Sequence, residues 1–225
     1  MRYANRADAG RNLAGAVTDL RSADERRGRP WVAPLVLALP RGGIPVAAEV
    51  ARALGAPLDI ALVRKLGVPG QPELAMGAIG ERGAIVTNDD VVARSRIDDG
   101  AWAAVLDAER GELARRSELL RGDRPALDPR GRPVVLVDDG AATGATAIAA
   151  ITDLEYAGAD RVVVALPVAT GSAARRLARA ATVVSPYVSD ALGGVGEAYR
   201  DFHQLSDDEA RSALGHGHQQ GIPGM

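Results

Sequence analysis

The chain contains no cysteine. Disulfides, cysteine-ligated metals and a thiol nucleophile are therefore excluded, and the composition fits an intracellular protein, with the cytoplasm the expected compartment. Aromatic residues are scarce, with two Trp, four Tyr and one Phe among 225 residues, so the core has to be built from Val, Leu, Ile and Ala. That suits an α/β sheet with Ala-rich helices. No apolar run reaches the roughly 18 residues of a membrane-spanning helix. The opening stretch MRYANRADAGRNL carries charges where a signal peptide needs an apolar core. Large charge of either sign is also lacking. The net charge is -2 and the basic residues are scattered, which gives no electrostatic reason to expect nucleic acid. The three histidines, His203, His216 and His218, lie at or near the C-terminal tail, a poor place for a metal site or a catalytic base.

Against this background one stretch changes character twice within a few residues: Val134 to Thr146, VVLVDDGAATGAT. Val134 to Val137 reads as a buried strand of a parallel sheet. Asp138 and Asp139 follow at its carboxyl end, where open α/β sheets bind ligands. Gly140, Ala141, Ala142, Thr143, Gly144, Ala145 and Thr146 then let backbone approach a ligand closely, and two of them offer hydroxyls. A helix begins near Ala145, and its first-turn N–H groups and dipole favour an anion. Carboxylates for a diol beside a cradle for a phosphate describe a site for a sugar phosphate. The plainer alternative is an ordinary strand-to-helix turn with surface carboxylates.

The stretch resembles the phosphoribosyl-diphosphate (PRPP) loop of type I phosphoribosyltransferases, in a bacterial branch of that family: four apolar residues, two acids, then a turn rich in Thr and Gly. Gly140 departs from the aliphatic residue more usual there, and a loosened loop is expected. A second segment supports the resemblance. Leu35 to Leu39 is a strand stopped by Pro40, followed by Arg41, Gly42 and Gly43 and a helix from Pro45 to Leu54; this is similar to the family's diphosphate loop, which often contains a cis peptide. Diphosphate is highly charged, and backbone N–H groups with a guanidinium can hold it. A third strand, Leu58 to Val63, ends in Arg64 and Lys65, similar to a basic pair that meets diphosphate in adenine-type relatives.

The remaining chain fits this plan. Residues 6 to 21 read as an opening helix with Asn5 as its cap. The polar run 24 to 30 reads as a solvated loop. Residues 66 to 92 read as the family's flexible loop and hairpin, turning at 81 to 83, with Glu73 a candidate contact. The segment 97 to 121 reads as an inserted helix, packing on the domain edge or a partner subunit. Further elements are a helix from Ala145 to Tyr156, a strand at 161 to 166, a helix at 173 to 180, a strand at 182 to 185 and a short acidic helix near 205 to 214. The order β-α-β-hairpin-helix-β-α-β-α-β predicts a mostly parallel twisted sheet flanked by helices. A single domain over 1–215 is expected, with its core at about 31–190, a small hood from the chain ends and a flexible tail at 216–225. In the hood Tyr187 could stack on a base, whereas Tyr199 and Phe202 read as packing residues.

The resemblance implies Mg2+-dependent transfer of the 5-phosphoribosyl group from PRPP to a nitrogenous base, with release of diphosphate, by a homo-oligomer, a dimer, of a nucleotide-salvage type. Asp138 and Asp139 would hold the ribose hydroxyls and help place Mg2+ through substrate and water, residues 141 to 146 would hold the 5-phosphate, and Arg41, Gly42 and Lys65 would bind diphosphate. Hypoxanthine-guanine enzymes carry an Asp four positions after the first acid. Ala142 stands there, which disfavours a 6-oxopurine acceptor. The rival readings are a PRPP-binding regulator without transferase activity and, less in keeping with the loop, a phosphate-ester hydrolase.

Overall fold

The computed structural model describes residues 3–219, and the side chains of 3–215. Five parallel strands form the central sheet: β1 (Leu35–Ala38), β2 (Leu58–Ile60), β6 (Pro133–Val137), β7 (Arg161–Ala165) and β9 (Thr182–Val184), in the order β2-β1-β6-β7-β9. Every residue of β1 and β6 is buried, as expected for strands covered on both faces. Alternation divides them. Val36, Ala38, Val135 and Val137 meet the helices α1 (Arg6–Arg26) and α2 (Gly43–Leu54) on one face. Leu35, Leu37, Val134 and Leu136 meet α5 (Ala145–Tyr156) and α6 (Gly171–Leu177) on the other.

Helix α1 is capped by Asn5, which accepts a hydrogen bond from the Asp8 N–H, and it runs five residues past the expected end. The run 24 to 30 is accordingly not a solvated loop throughout. Asp24 is buried, accepting from Trp31 Nε1 at 3.1 Å and from Arg29 and Arg161 at 2.8 and 3.1 Å. Helices α1 and α2 pack closely because Gly10 has no side chain; a Cβ there would lie 2.8 Å from the Val46 carbonyl oxygen.

The largest departure from the sequence reading lies after β2. The expected strand 58 to 63 breaks at Ala61, whose N–H still donates to the Ala38 carbonyl at 2.9 Å. Leu62 is then captured by the next hairpin, its N–H on Glu81 Oε1 and its carbonyl on the Glu81 N–H. Residues from Val63 belong to a separate antiparallel sheet, β3 (Val63–Val68), β4 (Gln71–Gly80) and β5 (Ile85–Thr87). The aliphatic run gives no hint of the break because its side chains are buried on both sides of it.

The hairpin turn at 81 to 83 is where the sequence places it, but it is clamped. Arg121 enters from α4 (Asp99–Arg121) with Nε on Asp59 at 2.7 Å, Nη1 on Glu81 at 2.6 Å and Nη2 on the Ile60 carbonyl at 2.7 Å. Asp153 of α5 accepts from the Arg82 and Ala84 N–H groups on the other side. The exposed tip of this sheet is the β3–β4 turn at Pro69 and Gly70 instead. A short helix α3 (Asp89–Ser95), capped by Asn88, precedes α4. Helix α4 buries Leu106, Leu113 and Leu120 in the core shared with α1 and α2, so it packs against its own domain.

The segment at Tyr3 meets the one at 198–200. Tyr3 donates its N–H to Ala198 at 2.7 Å and accepts from Arg200 at 2.8 Å, beside the short strands β8 (Val168–Ala169) and β10 (Tyr187–Val188). The last helix, α7 (Asp207–Gln219), packs on α2 and α4 and reaches past residue 215. Of the expected tail, residues 220–225 lie outside the described residues. Among the described residues no helix is long and apolar enough to cross a membrane.

Candidate functional site

Strands β1 and β6 are neighbours in register, Ala38 opposite Val137, so their carboxyl ends open side by side. The loops after them touch. A Cβ on Gly42 would lie 2.0 Å from Asp139 Oδ2, and one on Gly43 would lie 2.7 Å from the Val137 carbonyl oxygen. Two adjacent glycines are therefore what lets the Arg41 loop close on the acid pair. The peptide between Pro40 and Arg41 is cis, within the loop where the resemblance implied such a bond.

The two acids differ. Asp138 is half-buried and its Oδ1 accepts the Asp139 N–H at 2.8 Å. Burial, and then the charge of Asp139, push the Asp138 carboxyl well above the ordinary aspartate range, with Arg6 acting in the opposite direction. Asp139 instead forms an ion pair with Arg6 at 2.8 Å, with the two side chains 9% and 15% exposed. The Arg6 guanidinium also donates to the His203 carbonyl at 2.8 Å and lies 4.0 Å over the Phe202 ring. Tyr199 stacks on Phe202 and donates its hydroxyl to the Asp139 carbonyl; burial pushes that phenol up.

Arg6, Tyr199 and Phe202 were missed as site residues by the sequence reading. One signal was available for Arg6. It is the first residue of α1, where the helix dipole disfavours a cation, so a partner elsewhere in the fold should hold it. Tyr187 stands in β10, half-buried, packed on the cluster of Tyr3, Val168 and Tyr199. His203 is exposed, and Asp201 and Glu209 on its two ring nitrogens raise its pKa.

The loop 140 to 144 is pinned and not loosened. A Cβ on Gly140 would lie 2.5 Å from Val195 and 2.7 Å from Val168, so glycine is required by packing against the hood. Ala141 donates its N–H to Val168 at 3.1 Å and accepts from Thr170 at 3.0 Å, which removes Ala141 from the N–H groups expected to face a phosphate. Thr170 Oγ1 donates to the Ala142 carbonyl at 2.8 Å. Gly144 takes φ 71° and starts α5 without a side-chain cap. Among the described residues, the N–H groups of Ala142, Thr143, Gly144, Thr146 and Ala147 have no protein acceptor. They surround a cavity of about 110 Å³, bounded also by Asp138 and Leu166.

The expected cations divide. Arg41 does not point at the acids; its Nη1 meets Asp207 of α7 at 3.1 Å, beside a cavity of about 460 Å³ shared with Arg115 and Arg116 of α4. Arg64 and Lys65 stand within β3, not at the end of a core strand, because the chain leaves the parallel sheet at Ala61. Arg64 is paired with Glu109 at 2.6 Å, and Lys65 meets the exposed Glu73 at 3.3 Å.

Among the described residues no group of three or more His, Cys, Asp or Glu side chains could hold a metal ion. The donors at the cradle are the carboxylate oxygens of Asp138 and Asp139, one of them taken by Arg6. Such a set suits a hard cation of the Mg2+ kind, which is commonly held by one or two carboxylates together with substrate phosphates and water.

Residues 11–199 match the model of the phosphoribosyl transferase domain. The chain is 47% identical over 218 residues to "Putative phosphoribosyl transferase Rv0571c" of Mycobacterium tuberculosis, covering 96% of this chain and 47% of that protein. It thus spans about half the length of the curated relatives it matches. The crystal structure of TT1426 from Thermus thermophilus superposes with a TM-score of 0.81 at 42% identity, covering 95% of this chain and 98% of that one. The paired strand ends, the two acids and the uncapped helix lie inside the matched region, and the chain belongs to the phosphoribosyl transferase domain family, with a type I fold.

Proposed function

We propose that the chain transfers the 5-phosphoribosyl group of PRPP to a nitrogenous base, with Ala142 disfavouring a 6-oxopurine, and releases diphosphate. The observation that carries this reading is the junction of two loops: the unpartnered N–H groups at the start of α5, the Asp138–Asp139 pair and the Gly42–Gly43 turn meet at the ends of β1 and β6. A 5-phosphate fits the first, a ribose diol the second and a diphosphate the backbone of the third.

The N–H groups from Ala142 to Ala147 would hold the 5-phosphate with the Thr143 and Thr146 hydroxyls. The free oxygens of Asp138 and Asp139 would accept from the ribose hydroxyls, and Arg6 keeps Asp139 fixed while they do so. Mg2+ bound through substrate and water would offset the diphosphate charge. The Arg41–Gly43 backbone, Arg41 and Lys65 would take the departing group, and electrostatic stabilisation of that group would supply most of the catalysis. Phe202 lies under the Arg6 guanidinium, Tyr199 stacks on Phe202 and donates to the Asp139 carbonyl, and the two rings would exclude water beside the reacting carbon.

Incubation with PRPP, Mg2+ and a panel of bases, following diphosphate release, tests this. Release accelerated by one base supports transfer. PRPP binding without acceleration by any base would replace the transferase with a PRPP sensor.

A further inference from the structure

A cavity of about 460 Å³ opens between the β1–α2 loop, α4 and the start of α7 and is not part of the cradle. Its walls carry Arg41, Arg115 and Arg116, against one carboxylate, Asp207. Three guanidiniums from two distant segments converge there. Each already grips an internal carboxylate: Arg41 meets Asp207 at 3.1 Å, and Arg115 and Arg116 both bind Glu112, with Nε···O distances of 2.8 Å. These pairs are open to solvent, with side-chain exposures of 34% and 45% for Arg41 and Asp207, and exposed pairs contribute little and exchange easily. A polyanion offers each guanidinium more charge and a planar pair of oxygens, which Arg binds bidentately.

We infer that Arg115 and Arg116 complete, with Arg41, a binding site for a diphosphate group, and that Asp207 occupies it when no diphosphate is bound. This rests on the transferase reading only for its source, the diphosphate arm of PRPP. It also accounts for one cation of the expected basic pair: Arg64 is neutralised by Glu109 of α4, and the same helix presents Arg115 and Arg116 one to two turns further on.

The test uses the full chain with Mg2+ and three probes in calorimetric titration: inorganic diphosphate, PRPP and ribose 5-phosphate. Arg115 and Arg116 are exposed, so R115A/R116A keeps its fold, checked by an unchanged melting temperature. The double variant binds diphosphate and PRPP about tenfold or more weakly, as expected for two lost charge-assisted contacts, and ribose 5-phosphate as before. D207N binds diphosphate several-fold more tightly, since it removes the competing carboxylate. Equal diphosphate affinity in wild type and double variant overturns the inference, as does an equal loss for ribose 5-phosphate. Diphosphate held through these arginines by a protein that does not bind PRPP would support the cavity site and defeat the transferase reading, so the two failures are distinguishable.

Discussion

Replacing Arg6 by alanine should loosen both the fold and the site, and the size of the effect follows from its contacts. The 2.8 Å bond to Asp139 is charge-assisted and only slightly exposed, a kind worth about 1.5–3 kcal/mol. The bond to the His203 carbonyl adds about 1 kcal/mol. The position over Phe202 adds about 0.5–1 kcal/mol. One guanidinium makes all three, so they do not add fully, and a loss of about 3 kcal/mol is expected. For a domain of this size that lowers Tm by about 6–12 °C. The function suffers separately. Without Arg6 the acids lose a cation that lowers the Asp138 pKa, so Asp138 becomes harder to ionise and Asp139 is no longer oriented. PRPP affinity, read by calorimetry, should fall about tenfold or more. Arg6→Lys keeps the charge but cannot make the paired bonds or lie flat on the ring, and should fall between the two. A Tm within about 1 °C of wild type, together with unchanged PRPP affinity, would refute the argument that this pair is part of the site.

Other consequences are equally direct. Gly42→Ala places a methyl group on the Asp139 carboxylate and should abolish tight PRPP binding while lowering stability by about 1–3 kcal/mol; a variant that binds PRPP normally would contradict the loop contact. Gly140→Val, which supplies an aliphatic side chain at a position packed against Val168 and Val195, should likewise cost about 1–3 kcal/mol in chemical denaturation, whereas a loosely held loop would tolerate it. Arg121→Met leaves the buried Asp59 without a cation and Glu81 with Arg82 alone, and should destabilise the protein by about 3–5 kcal/mol; a near-neutral effect would show that the clamp on the 81–83 turn contributes little. The pH dependence has a defined sign. Asp138 is an acid whose folded pKa is raised, so its contribution to stability is fully present below its unfolded value, near 3.8, and is lost as pH rises through the folded value. The Tm of Asp138→Asn relative to wild type should therefore climb with pH across that window, and a flat difference would count against the half-buried, charge-coupled assignment.

What the sequence disclosed and what it hid divide along physical lines. The β6 strand, the acid pair and the start of α5 form one contiguous run whose hydrophobicity, charge and glycine content change in step, so the cradle could be located from Val134 to Thr146 alone. Both covered faces of the sheet were implied by unbroken aliphatic strands. Hidden features depend on pairs far apart in the chain. Nothing local near Asp139 announces Arg6, and nothing near Glu81 announces Arg121, because a charged side chain reads as solvated until its partner is placed. The same default concealed Asp24 under Trp31 and the meeting of Arg41 with Arg115 and Arg116. The break at Ala61 was illegible for another reason: an apolar run bent between two sheets stays buried, and its pattern does not change at the bend.

The central claim is that Asp138 and Asp139 hold the ribose of PRPP beside the phosphate cradle. Its most direct test is calorimetric titration of PRPP, with Mg2+, into wild type and into Asp138→Asn/Asp139→Asn. Two lost charge-assisted interactions at about 1.5–3 kcal/mol each predict at least about a hundredfold weaker binding in the double variant. Binding of the same strength in both proteins would place the site elsewhere.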